Sequence, residues 1–96
     1  MFRSAASGHA SGPSESALLA QAQAALSTNP SRALALTREH KRRFPNGALA
    51  QEREVIAIEA LNRIGDSESA RKRAKDFETS YPGSAHRRKV QNETKP

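Results

Sequence analysis

Two short segments of the chain, 37 residues apart, share one pattern. Residues 44–49 read FPNGAL and residues 81–86 read YPGSAH, and each segment follows a stretch rich in lysine and arginine. Both contain an aromatic residue, a proline, two turn-forming residues and an alanine. A period of this length is typical of stacked helical hairpins, because a single hairpin cannot bury its apolar face without a neighbour. The repeat therefore predicts an all-α domain of two stacked hairpins followed by a partial fifth helix.

Cap and turn residues predict where the first hairpin begins and ends. Pro13 and Ser14 suit the start of a first helix, and Asn29-Pro30 provides a cap and then a proline at the first helical position of the second. The second helix is expected to end near Phe44, because Pro45 disfavours helix at the preceding residue. At about 100° per residue, one face of each helix is apolar. These faces hold Leu18, Leu19, Ala22, Ala25 and Leu26, and then Ala33, Leu36, Thr37, His40 and Phe44.

The second hairpin contains the most apolar helix, at about residues 48–64. Its face comprises Leu49, Ile56, Ala57, Ala60, Leu61 and Ile64, with Val55 and Ile58 at the margin. Gly65 suits the left-handed position at its end, and Asp66 can cap a fourth helix over about 67–80. The fourth helix has a stripe of Ala70, Ala74, Phe77 and Tyr81. Ser84 is then predicted to cap the fifth helix.

The hairpins resemble the tetratricopeptide repeat. That family has a small alanine early in the second helix, an apolar or aromatic residue later and a proline at the end, as at Ala70, Phe77 and Pro82; Ala33 and Pro45 match in the first unit. Its first-helix signature of Trp, Leu-Gly and Tyr is mostly absent. The longer period and the FPNGA and YPGSA endings are more similar to the divergent repeats of bacterial envelope and anti-sigma-type proteins. The resemblance covers about residues 14–90. It implies a short right-handed α-solenoid in which Ala33 and Ala70 lie where paired helices cross.

Composition bounds what surrounds this domain. Residues 1–13 are small, polar and rich in glycine and serine, and we expect a disordered leader or a non-native segment there, with a disordered tail at 91–96. The absence of cysteine excludes disulfides and thiolate metal sites. No apolar run approaches the roughly 18 residues of a membrane span, and no signal-peptide pattern is evident. The resemblance implies a cytoplasmic or periplasm-facing domain of a bacterial protein.

No enzymatic chemistry is expected from the sequence. The three histidines, His9, His40 and His86, have no metal-binding spacing, and His40 is interpreted as a packing residue rather than a pH sensor. The acidic residues are interpreted as solvated helix faces, and no glycine-rich phosphate loop is present. We therefore expect no catalytic residue, no metal and no cofactor.

Clustered basic residues are the one feature that suggests a ligand. The formal net charge is +6 and the sequence pI is about 10.5. The second helices of successive hairpins are expected to lie side by side, which would place Arg38, Lys41 and Arg42 near Lys72 and Lys75. The candidate basic surface comprises Arg38, Lys41, Arg42, Lys72, Lys75, Arg87, Arg88 and Lys89. Two interpretations stay open: binding of an anionic ligand, or solvation together with favourable interaction with helix dipoles.

The sequence thus predicts a non-enzymatic protein–protein interaction or scaffold module, as part of a larger bacterial protein. The alternative is a basic module that binds nucleic acid or an anionic membrane surface. Val55, Ile58 and Val90 are apolar and have no evident partner in the predicted stack. We therefore also expect either a homo-oligomer formed through the C-terminal side or a chain that is a fragment of a longer protein, unless the fifth helix folds back as a cap.

Overall fold

The computed structural model describes residues 12–94, and all regular secondary structure in this range is α-helical. Helices adjacent in the sequence pack against each other, and α3 also contacts α1 and α5. The prediction of an all-α domain with packed neighbouring helices is confirmed. Within the described range, no helix is both long enough and apolar enough to span a membrane. The helices are α1 (Glu15–Ala25), α2 (Pro30–Arg43), α3 (Ala50–Ile64), α4 (Ser67–Ser80) and α5 (Arg87–Glu93).

The duplicated sequence corresponds to a duplicated backbone. Helices α2 and α4 both contain 14 residues, and their first residues are 37 apart in the chain. The Asn29 and Asp66 side chains each accept a hydrogen bond of 3.1 Å from the backbone N–H three residues later. Phe44 and Tyr81, which terminate α2 and α4, both have φ −133° and ψ 61°. The same local chemistry therefore begins and ends the second helix of each hairpin.

The turns after these helices repeat as well. The Gly47 N–H donates to the Phe44 carbonyl and the Ser84 N–H to the Tyr81 carbonyl, both at 3.0 Å. Ser84 does not cap α5 as predicted, because His86 is the residue that precedes the helix and its side chain caps nothing. Instead the Ser84 hydroxyl accepts a hydrogen bond from the His86 N–H at 3.0 Å. Ser84 therefore stabilises the turn rather than the helix start.

The tight turn between α3 and α4 depends on a left-handed glycine. Gly65 has φ +99°, a conformation that costs a residue without a side chain little. This geometry lets the Asp66 N–H donate to the Leu61 carbonyl at 2.9 Å, which satisfies one carbonyl at the helix end. Asp66 then caps α4, as the sequence predicts.

Helix α3 lies at the centre of the core, and its buried surface is wider than its sequence pattern indicates. Ile58 is fully buried and Val55 is 6% exposed, so placing them at the margin of the face was wrong. The reason is that α3 contacts all four other helices. Ile64, which we assigned to the buried face, is 43% exposed because it is the last residue of the helix. Ala33 and Ala70 have no exposed surface.

Helix α5 folds back against α3 and α4. Val90 has no exposed surface and joins the core that contains Val55 and Ile58. All three residues on which we based the expectation of self-association are therefore buried within the chain. Helix α5 also extends to Glu93, three residues beyond the domain boundary that we predicted at residue 90. Most of the predicted leader, residues 1–11, and the last two residues of the predicted tail lie outside the described range.

Candidate functional site

An open groove of about 580 Å³ lies between α2 and α4. No Cα atom of α2 lies within 8 Å of a Cα atom of α4, and α3 packs against both helices. Arg53, Glu54 and Leu61 of α3 contribute to the lining of the groove, and Phe77 and Tyr81 add aromatic surface. The charged lining residues comprise the cations Arg38, Lys41, Arg53, Lys72 and Arg73 and the acids Glu54, Asp66 and Asp76.

Two of these cations are held by one carboxylate. Arg53 Nε donates to Glu54 Oε2 at 2.9 Å, and Arg73 Nε donates to Glu54 Oε1 at 2.8 Å. Burial raises the pKa of Glu54. The hydrogen bonds and positive charges of Arg73 and Arg53 together lower it by more, so this pKa lies below its ordinary value. Glu54 is therefore ionised at neutral pH and links α3 to α4.

Hydrogen bonds extend from this ion pair into the core through His40. His40 has no exposed surface, and its Nδ1 lies 3.4 Å from Arg53 Nη1. A guanidinium can only donate, so Nδ1 accepts this hydrogen bond and Nε2 is the ring nitrogen that donates. Nε2 lies 2.9 Å from Glu15 Oε2, which also accepts the Leu49 N–H at 3.0 Å. This polar network, which is buried at His40 and Arg53 and partly exposed at Glu15, Glu54 and Arg73, connects α1, α2, α3 and α4.

The remaining three cations of the groove are free of ion pairs. Arg38, Lys41 and Lys72 are exposed, and within residues 12–94 none of them has a carboxylate within salt-bridge distance. They share the groove with Arg53 and Arg73, whose guanidinium groups are already engaged. The groove lining therefore carries more positive than negative charge, and Arg53 and Arg73 within it are already paired with Glu54.

The other sequence-predicted cations lie elsewhere. Arg42 and Lys75 are exposed but do not line this groove, so the structure brings together three of the five residues that we expected to meet on α2 and α4. Lys75 instead borders a second depression, of about 440 Å³, between α4 and α5. On α5, Arg87 Nη2 is 4.0 Å from Glu78, and Lys89 Nζ lies 3.7 Å from Glu59. Arg88 is exposed.

Sequence analysis missed the polar network. It identified His40 as a packing residue, and the ring does lie 5.6 Å from the Phe44 ring, but its partners Glu15 and Arg53 come from other helices. One signal was available: Phe77 stands 37 residues after His40, so a polar ring occupies a position that is aromatic in the second unit. A polar residue at such a position requires polar partners.

No protein-family model, curated protein or solved structure matches the chain. Among residues 12–94, no group of three or more histidine, aspartate or glutamate side chains is arranged to hold a metal ion. The chemistry that the groove offers is recognition of negative charge by lysine and arginine, next to limited apolar surface.

Proposed function

We propose that this chain is a protein–protein interaction module built from two divergent hairpins of the tetratricopeptide type, and that a partner protein binds in the groove between α2 and α4. The observation that carries the proposal is the set of three exposed, unpaired cations, Arg38, Lys41 and Lys72, in one groove. Cap and turn geometry that recurs within the chain at a 37-residue spacing supports the repeat assignment. The repeat supplies the scaffold, and the groove supplies the recognition surface.

The state of the groove carboxylates favours binding over catalysis. A general acid or base works best with a pKa near the operating pH. Glu54 is instead kept ionised by Arg73 and Arg53. Hydrogen bonds from Ser69 lower the pKa of Asp66, which is engaged as the cap of α4. Glu54 and Asp66, two of the three groove carboxylates, have structural partners, and neither is poised to exchange a proton at neutral pH.

The polar network supports a preformed groove. Its members come from all four helices that build the two hairpins, and its central residues, His40 and Arg53, are at most 5% exposed. Partner binding then costs little ordering of the groove floor, which favours affinity.

The proposal is tested by affinity capture followed by reconstitution. The purified chain is immobilised, proteins that remain bound at about 0.15 M salt are identified, and each is purified and titrated back. We expect saturable one-to-one binding that is lost in Arg38→Glu/Lys72→Glu. The matched control is Arg42→Glu/Lys75→Glu, which changes the same residue types on the same two helices outside the groove. If no protein binds saturably, the proposed function is wrong.

A second candidate function is electrostatic binding of nucleic acid or an anionic membrane surface. It is favoured by exposed cations outside the groove, among them Arg42 and Lys75, that have no ion pair within residues 12–94. Such binding would weaken linearly on a log–log plot against salt, with a slope of about −0.9 per duplex phosphate contacted. It would also respond about equally to the two double variants, because it depends on total charge rather than on the groove. Equal weakening would therefore favour this candidate over the interaction module.

A further inference from the structure

The geometry points to the class of partner. We infer, on the basis of the proposed function, that the groove between α2 and α4 binds an acidic, extended segment of another protein, about six residues long. The carboxylates of this segment pair with Arg38, Lys41 and Lys72, and one of its apolar side chains packs against the exposed part of Tyr81. Nothing in this assignment requires the floor of the groove to rearrange.

The length of the bound segment follows from α4, the helix that forms one wall of the groove. The lining residues of this wall run from Asp66, which caps α4, to Tyr81, which ends it. At about 1.5 Å per residue this wall is roughly 20 Å long. An extended peptide advances about 3.3 Å per residue. The groove thus accommodates about six extended residues along this wall.

The charge of the ligand follows from which side chains are already paired. Glu54 engages Arg53 and Arg73, and the Asp66 carboxylate accepts the N–H of Ser69 at 3.1 Å. Arg38, Lys41 and Lys72 are the cations of the groove whose charge is not met by any carboxylate of residues 12–94. Carboxylates form the complementary, charge-assisted hydrogen bonds with such groups.

Two features favour a peptide over nucleic acid as the occupant. Asp66 and Asp76 interrupt the cations along α4, which opposes a polymer that carries a negative charge at every unit. A peptide can place neutral residues beside these carboxylates. Single-stranded nucleic acid also requires exposed aromatic faces on which bases stack. Phe77 is only 2% exposed, and the half-buried Tyr81 ring is tilted against it at a centroid distance of 5.1 Å.

The position of Arg53 in the polar network supports the same assignment. The Arg53 guanidinium is 5% exposed and contacts both Glu54 and His40, so its direction is set by the protein itself. A ligand carboxylate therefore gains its contacts from side chains that are free to move toward it. The site combines a fixed floor with adjustable cations, which suits acidic segments that differ in the spacing of their carboxylates.

The test uses a fluorescein-labelled hexaglutamate peptide, with hexaglutamine as the uncharged comparison and an oligothymidylate of six nucleotides as the nucleic-acid comparison. Binding to the full chain is measured by fluorescence anisotropy at about 0.15 M salt, and the contacted residues are mapped by amide chemical shifts in ¹⁵N-labelled protein. We expect hexaglutamate to bind, hexaglutamine not to bind, and shifts to concentrate in the α2–α4 groove. Arg38→Glu/Lys72→Glu should weaken hexaglutamate binding at least about tenfold. Arg42→Glu/Lys75→Glu should weaken it less than about threefold.

Three outcomes would overturn the inference. Hexaglutamate could fail to bind, it could shift amides outside the groove, or the oligothymidylate could bind more tightly than the peptide. The capture experiment separates this failure from failure of the proposed function. A reconstituted partner that binds one to one and protects α2 and α4 from hydrogen exchange, while hexaglutamate does not bind, would overturn only the acidic-segment inference. Absence of any protein partner would overturn the proposed function itself.

Discussion

At the scale of single residues, His40 and Phe77 show two ways to fill one position of a repeat. Both lie in the last turn-and-a-half of the second helix, and each pairs with the aromatic residue four positions later. Phe77 meets apolar neighbours, and the partners of His40 are Glu15 and Arg53. The choice of side chain is therefore decided by residues on other helices.

Replacing His40 with phenylalanine should destabilise the protein although phenylalanine fits the equivalent position. His40→Phe removes the partner of the Glu15 carboxylate and of the buried Arg53 guanidinium, so we expect a loss of about 1–3 kcal/mol in the free energy of unfolding. Urea denaturation measures this loss. Adding Glu15→Leu to the variant should cost less than it does in the parent, since the two residues are partners. Strict additivity of the two changes would contradict the network.

A buried alanine near the start of each second helix leaves no room for a larger side chain. Ala70 is fully buried, so Ala70→Leu should overpack its surroundings and cost about 1–3 kcal/mol in the free energy of unfolding. Ala35→Leu is the control, because Ala35 is exposed on α2 and the same enlargement there has room. Thermal melting of both variants compares them. Equal melting temperatures would contradict the prediction that Ala70 lies at a close helix crossing.

At the scale of elements, the contact between successive hairpins is repeated. The Glu15 carboxylate, at the start of α1, accepts the Leu49 N–H in the turn after α2. Glu52, in the first turn of α3, lies 3.3 Å from His86 Nε2 in the turn after α4. Glu15 and Glu52 are 37 residues apart, so each hairpin begins with an acid directed at the turn that leads out of it. These contacts between hairpins therefore recur with the same 37-residue spacing as the helix caps.

The central position of α3 makes its apolar residues unequal. Ile58→Ala should cost roughly 2–5 kcal/mol in the free energy of unfolding, because the side chain is fully buried and leaves a cavity. Ile64→Ala should cost less than about 0.5 kcal/mol, because this residue is largely exposed at the helix end. Chemical denaturation of the two variants provides the comparison. Similar losses at both positions would show that α3 is not packed from several sides.

Helix α5 should detach when its one buried side chain is made charged. Val90→Asp places an unpaired carboxylate among apolar residues, so we expect residues 87–93 to lose protection from amide hydrogen exchange. Gln91→Asp is the control, because Gln91 is the exposed neighbour of Val90 and should keep that protection. If the α5 amides exchange equally slowly in both variants, α5 does not depend on Val90 for its docking.

At the scale of the whole molecule, acid should destabilise the fold through a few carboxylates. The Leu49 N–H lowers the pKa of Glu15, the two arginines lower that of Glu54 against the opposing effect of burial, and Ser69 lowers that of Asp66. A carboxylate with a lowered folded-state pKa stabilises the protein above its unfolded-state pKa, and this contribution is lost as the pH falls through the folded-state value. We therefore expect stability to fall as the pH drops below about 4.5.

Urea denaturation between pH 7 and pH 3 measures this loss. Glu54→Gln should be less stable than the parent at pH 7, because Arg53 and Arg73 lose their shared carboxylate, and it should lose less stability on acidification. Glu68→Gln, an exposed change in the first turn of α4, is the control and should keep the pH dependence of the parent. A Glu54→Gln profile parallel to that of the parent would show that Glu54 is not responsible.

The sequence by itself determined the local structure of this protein. The 37-residue period, the caps Asn29 and Asp66, the left-handed Gly65 and the bounds of α4 were all predicted, because each depends on interactions that span only a few residues. A cap bonds to an N–H three residues away, and a turn residue acts on its own φ and ψ. The same locality explains why the all-α class could be read before any packing was known.

Only the tertiary structure decided which residues meet. The Glu15–His40 and Arg73–Glu54 contacts join residues 25 and 19 positions apart, and the groove lies where α3 packs against both α2 and α4. The burial of Val90 required the docking of α5, and the separation of Arg42 and Lys75 from the groove depended on how each helix is rotated. Helical periodicity gives the face of a residue but not the neighbour of that face, since the neighbour is selected by the packing of the whole chain.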